Sequence, residues 1–148
     1  MKLDQKDKKI IDILKENSKL TTHKIFKKTR IPITTIHNRI KKLEKEGIIK
    51  NYTLKLNHKK LGKPIESYIL VNVIYTLSDG SKIQQQEVAK NIKKLEGVEK
   101  VNIITGGTDI IINVRVKDID ELNDFVIKEL RNIKGVDKTQ TLMVLSSY

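Results

Sequence analysis

The stretch that predicts the fold is residues 33–47, which read ITTIHNRIKKLEKEG. Its branched apolar residues recur at intervals of three and four, the period of a helix with one buried face. These residues are Ile33, Ile36, Ile40 and Leu43, and Gly47 is a typical helix stop. If Ile36, Ile40 and Leu43 face a core, the opposite stripe carries hydroxyl, amide and lysine groups and no acid. The pattern therefore predicts a helix whose outward face suits a polyanion.

Two shorter helices are predicted upstream. Asp4 has the character of an N-cap for a helix over about residues 4–16, with Asp7 as the acid three positions on. Thr21 or Thr22 is expected to cap a second helix that ends ahead of Pro32. Residues 48–56 predict two short strands that turn near residues 50 and 51. Three helices and a β-ribbon make a winged helix-turn-helix, whose last helix lies in the DNA major groove.

The residues expected to contact DNA lie on the outward side of the third helix and in the wing. Short polar side chains reach base edges, whereas lysines contact phosphate well. Base or near-base contacts are predicted at Thr34, Thr35, His37 and Asn38, phosphate contacts at Lys41, Lys42 and Lys45, and wing contacts at Lys50, Asn51 and Tyr52. Arg39 is expected either to contact phosphate or to pair with an acid of the first helix. The alternative for the whole face is ordinary solvation, but a solvated face usually mixes both signs of charge.

The charge distribution favours a polyanion partner. The chain has 148 residues with 30 Lys and Arg against 18 Asp and Glu, a formal net charge of +12. Residues 1–64 hold 19 basic and 6 acidic residues, a net charge of +13, whereas residues 65–148 hold 11 and 12, a net charge of −1. This asymmetry indicates that only the first half is built to bind a polyanion.

The composition argues against several classes of site. The chain has no Cys, which excludes disulfides, thiolate catalysis and Cys-ligated metal, and favours a reducing cytoplasm. No apolar run approaches the roughly 20 residues of a membrane span. The three His are 14 and 21 residues apart without carboxylates in a metal-site pattern, and no glycine-rich phosphate loop or nucleophile elbow is present. We predict no metal, no cofactor and no catalytic activity.

The second half predicts a ferredoxin-like fold. Strands are expected over 67–75, 98–105, 108–117 and 136–145. One helix is expected from Ser81 to about Leu95, and another from Asp118 or Asp120 to Gly135. The order βαββαβ gives a four-stranded antiparallel sheet with two helices on one face. The chain is thus predicted to be an α+β protein with a winged helix-turn-helix over 1–56, a linker over 57–64 and a ferredoxin-like domain over 65–148.

Both faces of the predicted sheet are apolar. In the first strand Ile69, Val71 and Val73 alternate with Tyr68 and Leu70. Because two helices cover only one face, the other would expose an apolar patch. We expect a homodimer packed sheet against sheet, which suits a helix-turn-helix because paired recognition helices read half-sites about 34 Å apart. A monomer with a mildly apolar surface is the alternative.

Six short motifs occur in register along nearly the whole chain. They are Leu3-Asp4-x2-Asp7-x2-Ile10-x3-Leu14, Thr35-Ile36-His37-x-Arg39-Ile40-Lys41-x-Leu43-Glu44-x2-Gly47-Ile48-Ile49, Leu56-Asn57-x3-Leu61-Gly62, Gly97-Val98, Thr105-Gly106-x2-Asp109-Ile110 and Gly135-Val136-x3-Thr139-x-Thr141. This set resembles the Lrp/AsnC (leucine-responsive regulatory protein) family of transcription regulators, whose second half is an effector domain of the RAM type. The resemblance implies a dimer or higher oligomer that binds promoter DNA, with small molecules, often amino acids, bound between effector domains.

The same resemblance implies effector-binding positions. Gly106, Asp109, Thr139 and Thr141 match positions near the ligand pocket of the family. Asp109 has the charge to pair with an α-ammonium group, and the amides of Gly106 and Gly107 are suited to a carboxylate. A simple turn followed by ordinary strand threonines is the alternative. The chain departs from the family pattern at Phe26, where a small Ala is common, and at Pro32, where the usual Ser cap is missing.

Two other functions compete with this interpretation. An RNA-binding or ribosome-associated basic protein is disfavoured because sheet-based RNA binding stacks bases on exposed aromatic residues. The aromatic residues of this half are few, namely Tyr68, Tyr75, Phe125 and Tyr148, and lack the required motif. A metabolic enzyme with an amino-acid-sensing domain is disfavoured because no catalytic constellation is present.

Overall fold

The computed structural model describes residues 2–147, so Met1 and Tyr148, at the ends of the two predicted domains, lie outside it. The chain divides into two compact units, Met1–Lys55 and Leu56–Tyr148. The first contains α1 (Gln5–Glu16), α2 (Thr22–Thr29) and α3 (Ile33–Lys45). The second contains β1 (Ile65–Val73), α4 (Gln85–Lys93), β2 (Val98–Ile103), β3 (Ile110–Val116), α5 (Ile119–Asp124) and β4 (Val136–Met143). Among residues 2–147, no helix is both long and apolar enough to cross a membrane.

The caps of the first unit explain where its helices begin. Asp4 and Asp7 form a reciprocal capping box at the start of α1, and the side chain of Thr21 caps α2. Pro32 precedes α3 without a side-chain cap, as the missing Ser predicts. The core consists of fully or nearly fully buried isoleucines, namely Ile10, Ile25, Ile31 and Ile36. Ile33, at the start of α3, is 39% exposed.

The predicted wing strands are absent. Residues 50–57 form no strand, and the segments before and after the expected turn at residues 50 and 51 do not pair with each other. The apolar side chains that alternate along this segment have little to pack against, because Leu54 is 76% exposed and Leu56 is 50% exposed. A short two-stranded ribbon without a packed face is marginal in water. In the single chain this segment is therefore extended but unpaired.

The second unit has the predicted ferredoxin-like sheet. Its strands are antiparallel in the order β2-β3-β1-β4. Alternate residues of β1 and β3 pack against α4 and α5 to form one core, which includes Ile69, Val71, Ile112, Ile92 and Phe125. The other face carries Tyr68, Leu70 and Ile111, of which Tyr68 is 40% exposed. Both helices thus lie on one side of the sheet.

Two helix predictions in this unit need correction. Ser81 caps no helix, because residues 81–83 pair with residues 75–77, which follow β1, through a bridge between Thr76 and Lys82, and α4 begins at Gln85. The last helix starts after its predicted cap Asp118, but it changes after α5 to a π turn over Phe125–Glu129 and a 3₁₀ turn over Leu130–Asn132. Phe125 and Leu130 are five residues apart and both buried, a spacing that a π turn places on one face.

Candidate functional site

The outward face of α3 is arranged as its sequence predicts. Ile36 and Leu43 are buried and Ile40 is partly buried, which fixes the rotation of the helix. The predicted contact residues on the opposite side are exposed, namely Thr34, His37, Asn38, Lys41, Lys42 and Lys45. Thr35 is half-buried at the edge of this face. Hydroxyl and amide groups therefore occupy the first turns of α3 and lysines the last turns.

Arg39 forms the internal ion pair that the sequence allowed as one of two roles. Its Nη1 donates to Asp4 Oδ2 at 2.6 Å and to Asp7 Oδ1 at 2.7 Å. Asp7 is only 3% exposed, whereas the side chain of Arg39 is 26% exposed. The guanidinium thus joins α3 to the first turn of α1. Its contact with DNA phosphate stays a prediction that this ion pair disfavours.

The capping box and Arg39 act together on the Asp4 carboxyl. The Asp7 backbone N–H donates to Asp4 Oδ1 at 2.9 Å, and this hydrogen bond is the larger cause that lowers the pKa of Asp4. The hydrogen bond from Arg39 lowers the pKa further. Both bonds favour the ionised carboxylate. The start of α1 is therefore anionic at neutral pH and neutralised in part from α3.

The wing residues lie beyond the end of α3. Lys50 and Asn51 are exposed with no hydrogen bond from their side chains among the described residues. Tyr52 is 49% exposed, and its hydroxyl donates to Glu44 Oε1 at 2.8 Å. Burial, with this hydrogen bond as the second cause, raises the pKa of Tyr52. Tyr52 thus ties the extended segment to the side of α3.

The structure adds Lys2 to the candidate DNA surface. Lys2 lines the same cleft as Thr35, Asn38 and Lys42, although it precedes the first helix by three residues. No local pattern in the sequence predicts this position, because it depends on how α1 packs beside α3. The capping box and the Arg39 ion pair together place the start of α1 at the exposed edge of α3.

Asp109 is held by three neighbours of its own chain. Its carboxylate accepts hydrogen bonds from the Val73 backbone N–H at 2.8 Å and the Tyr75 hydroxyl at 2.6 Å. The Gln85 amide donates to the Asp109 backbone oxygen at 3.0 Å and approaches the carboxylate at 3.4 Å. The hydrogen bond from Tyr75 to Asp109 is the main cause that raises the pKa of Tyr75. Asp109 therefore links the loop before β3 to the end of β1 and the start of α4.

The four predicted effector positions form two groups. Gly106 lies in the same loop as Asp109, and a side-chain atom added at Gly106 or Gly107 would meet nothing within 4 Å. Thr139 and Thr141 lie on β4, where they pair with Val71 and Ile69 of β1. Because β1 runs between β3 and β4, Asp109, which adjoins the start of β3, and Thr139 are about two strand spacings, roughly 10 Å, apart.

Arg131 belongs with the β4 group and was missed by the sequence analysis. Its Nε donates to Thr139 Oγ1 at 3.3 Å, which brings a cation beside the predicted threonine. The sequence does not predict this contact, because Arg131 lies in the 3₁₀ turn that ends the last helix, where no regular period indicates which way its side chain points.

Two family models together match most of the chain. A model of the Lrp/AsnC ligand binding domain matches residues 71–148. A model of the winged helix-turn-helix DNA-binding domain matches residues 3–50. The first match begins near the end of β1 and covers the other strands and the helices of the second unit, and the second covers the three helices of the first.

Similar proteins are found among both sequences and structures. An uncharacterized HTH-type transcriptional regulator of Pyrococcus furiosus is 40% identical over 141 residues, which are 95% of this chain and 91% of the relative. The HTH-type transcriptional regulator FL11 of the same organism is 36% identical over 99% of this chain and 91% of its own. A transcriptional regulator of Neisseria meningitidis in complex with L-Met has a TM-score of 0.88 and 25% identity, covering 98% of this chain and 91% of that chain. LrpC of B. subtilis has a TM-score of 0.85 and 27% identity, covering 100% and 98%.

Proposed function

This chain belongs to the Lrp/AsnC family of DNA-binding transcriptional regulators, and we propose that it reads its operator with the outward face of α3. The observation that carries the proposal is the exposed stripe of Thr34, Asn38, Lys41 and Lys45, which contains no acid. A helix with this face enters the major groove with its N-terminal residues toward the bases.

Within this face the side chains divide by chemistry. The amide of Asn38 is suited to two hydrogen bonds with adenine. Thr34, Thr35 and His37 offer further donors and acceptors to base edges. Lys41, Lys42 and Lys45 are point charges that contact phosphate. We assign the wing residues Lys50, Asn51 and Tyr52 to the phosphate backbone or the minor groove. Arg39 positions α3 through its ion pair.

The test compares Asn38→Ala with Lys45→Ala on a selected operator and on random duplex DNA. Asn38→Ala is expected to weaken operator binding by about 1–3 kcal/mol and to leave random binding nearly unchanged. Lys45→Ala is expected to weaken both about equally and to make binding less sensitive to salt. Asn123→Ala, on an exposed position of α5, is the matched control and is expected to change neither. If Asn38→Ala and Lys45→Ala lowered operator and random binding by the same factor, the assigned face would be wrong.

We also propose that the chain works as a homodimer or higher homo-oligomer through its second unit. Tyr68, Leu70 and Ile111 share the sheet face that no described helix covers, and the residues that alternate with them on the same strands are buried in the core on the other face. An apolar patch of this kind is typical of a protein interface. Two chains joined there carry two recognition helices to one palindromic operator. The absence of cysteine and a DNA partner favour the cytoplasm.

We propose that the effector is an amino acid bound near Gly106. Its other contacts are near Thr139 and Thr141, which come from β4 of the same chain or of another subunit. Support comes from the open Gly106-Gly107 loop, whose amides suit a carboxylate, and from the relative of Neisseria meningitidis whose structure holds L-Met. Asp109 orients this loop. Operator binding measured with and without each amino acid tests the proposal, and no change in affinity, oligomeric mass or melting temperature with any of them would refute it.

A further inference from the structure

A small cleft lies between the start of α1 and the exposed edge of α3. It has a volume of about 370 Å³, roughly ten times the ~30 Å³ share of one water molecule. Its rim carries Lys2 from the segment before α1, and Thr35, Asn38 and Lys42 from α3. Three of these four residues belong to the face that we assign to DNA. The cleft therefore continues that face toward the beginning of the chain.

The two acids that line the cleft, Asp4 and Asp7, are already hydrogen-bonded within the protein. The backbone N–H of Asp7 donates to Asp4 Oδ1, and that of Asp4 donates to Asp7 Oδ2 at 3.0 Å. Arg39 donates to the two remaining oxygens, Asp4 Oδ2 and Asp7 Oδ1. All four carboxylate oxygens thus accept a hydrogen bond from the protein. Their charge is offset by Arg39 and by the two lysines of the rim, which leaves the lining with a net charge of +1.

The groups that remain available in the cleft include four donors. Lys2 and Lys42 each present an ammonium group, Thr35 a hydroxyl and Asn38 an amide. Two ammonium groups beside neutral donors suit an anion with several oxygens, and charge-assisted bonds of this type are the stronger ones. On a surface that meets the major groove, the anion at hand is a phosphate of the DNA backbone.

We propose that this cleft receives a phosphate of the bound duplex and that Lys2 is a further DNA contact, acting beside Lys42. The inference rests on the proposed function of α3 and extends the interface to the chain ahead of α1. Lys2 acts as a point charge on a flexible stem, so it adds affinity without sequence preference.

The experiment measures operator affinity of the full chain across a salt series for wild type, Lys2→Gln and Lys2→Arg. Each phosphate neutralised contributes about 0.9 to the slope of log affinity against log salt. We expect Lys2→Gln to reduce the slope by about 0.9 for each half-site, so that a threefold rise in salt weakens the variant less than wild type by about 2.7-fold on one half-site and about 7-fold on two. Lys2→Arg keeps the charge and should retain the wild-type slope. Lys134→Gln removes one exposed charge from the other unit and is the matched control.

The possible outcomes separate this inference from the proposed function. If wild type binds the operator with preference but Lys2→Gln keeps the wild-type slope, Lys2 does not contact phosphate, whereas the assignment of α3 stands. If wild type shows no preference for any duplex, the proposed function itself fails. A third arm adds inorganic phosphate against chloride at equal ionic strength. Inorganic phosphate could compete with DNA for wild type but not for Lys2→Gln, while the salt slope of DNA binding stays unchanged in the variant. The cleft would then be a site for free anions, and the proposal would be overturned.

Discussion

Arg39 on α3 lies with its Nη1 2.7 Å from Oδ1 of Asp7 on α1, and Asp7 is almost fully buried. A buried carboxylate is tolerated only when it is paired and hydrogen-bonded. Here the cation comes from the same helix that carries Asn38 on the proposed DNA face. The ion pair therefore fixes the rotation and depth of the recognition helix as well as satisfying an acid of α1.

We expect Arg39→Met to destabilise the first unit by about 2–3 kcal/mol, because it leaves the Asp7 carboxylate buried without its cation. The lower part of the range for broken buried pairs applies because the Arg39 side chain is a quarter exposed. Hydrogen exchange of the amides of α1 and α3 measures the loss locally. The double variant Asp7→Asn with Arg39→Met should be more stable than Arg39→Met alone, since the buried charge is gone. Equal stability of the two variants would show that the charge pair is not the cause.

The same cluster predicts an acid dependence of stability. The pKa of Asp4 lies below its ordinary value of 3.8 in the folded chain, through the Asp7 backbone N–H first and Arg39 second. The unfolded state therefore binds the proton more tightly. The stabilisation by the ionised carboxyl is complete above about pH 5 and is lost as the pH falls through 3.8 and then through the lower folded value.

Asp4→Ser keeps a side-chain acceptor at the N-cap and removes the titrating group. We expect the free energy of unfolding of this variant to fall less than that of wild type between about pH 5 and pH 2.5. Urea titrations at each pH measure the difference. Asp12→Ser is the matched control, because the Asp12 carboxylate is 73% exposed and pairs only with Lys15 at 3.7 Å. Parallel curves for wild type and Asp4→Ser would contradict the role of Asp4.

Elements with a strong period and a cap could be predicted from the sequence. The apolar spacing of α3 fixed which side faces the core, and the Asp4 cap and the order of strands in the second unit are confirmed. The prediction of wing strands is wrong because β-branched and aromatic residues favour an extended backbone, whereas strand pairing also needs a partner to pack against. The prediction for the start of α4 is wrong because the Ser81 segment pairs with residues 75–77, which follow β1, in a local hairpin that outweighs the cap signal.

The candidate sites were predictable to the extent that they depend on one element. The exposed face of α3 follows from its own period. The partners of Arg39 and the neighbours of Lys2 depend on the packing of two helices, so the sequence could offer only alternatives for the first and nothing for the second. Asp109 shows the same limit. Its charge suggested that it binds a ligand, but in the structure its carboxylate accepts hydrogen bonds from Val73 and Tyr75 of its own chain.

We expect Asp109→Ala to impair the response to an effector while operator binding without effector is kept. The change removes the acceptor shared by Val73 and Tyr75, so the loop of Gly106 is held to β1 only by the Asn72 side chain and by main-chain bonds. A direct reading is the tyrosine titration, in which the pKa of Tyr75 should fall because the hydrogen bond to Asp109 is the main cause that raises it. Tyr75→Phe identifies the transition, and Asp137→Ala, at an exposed position of β4, is the control. An unchanged titration in Asp109→Ala would refute the attachment.

Leu70→Lys tests whether the open sheet face joins two chains. Leu70 pairs across the sheet with Ile111 on one side and Gln140 on the other, near the centre of the uncovered face. A lysine there places two like charges in the proposed interface, so light scattering should show the dimer mass of wild type falling to that of one chain. Ile127→Lys, at a half-exposed apolar position of the π turn on the helix side, should leave that mass unchanged.

The loss of the dimer should also appear on DNA. Two linked recognition helices gain affinity because the second binds at a high effective concentration, a gain of about 10²–10⁴-fold for well-matched sites. Leu70→Lys should forfeit most of this gain on a two-site operator and little on an isolated half-site, since α3 itself is unchanged. If the variant keeps the dimer mass and the two-site gain, the chains join through another surface, and the apolar residues of the open face need another partner.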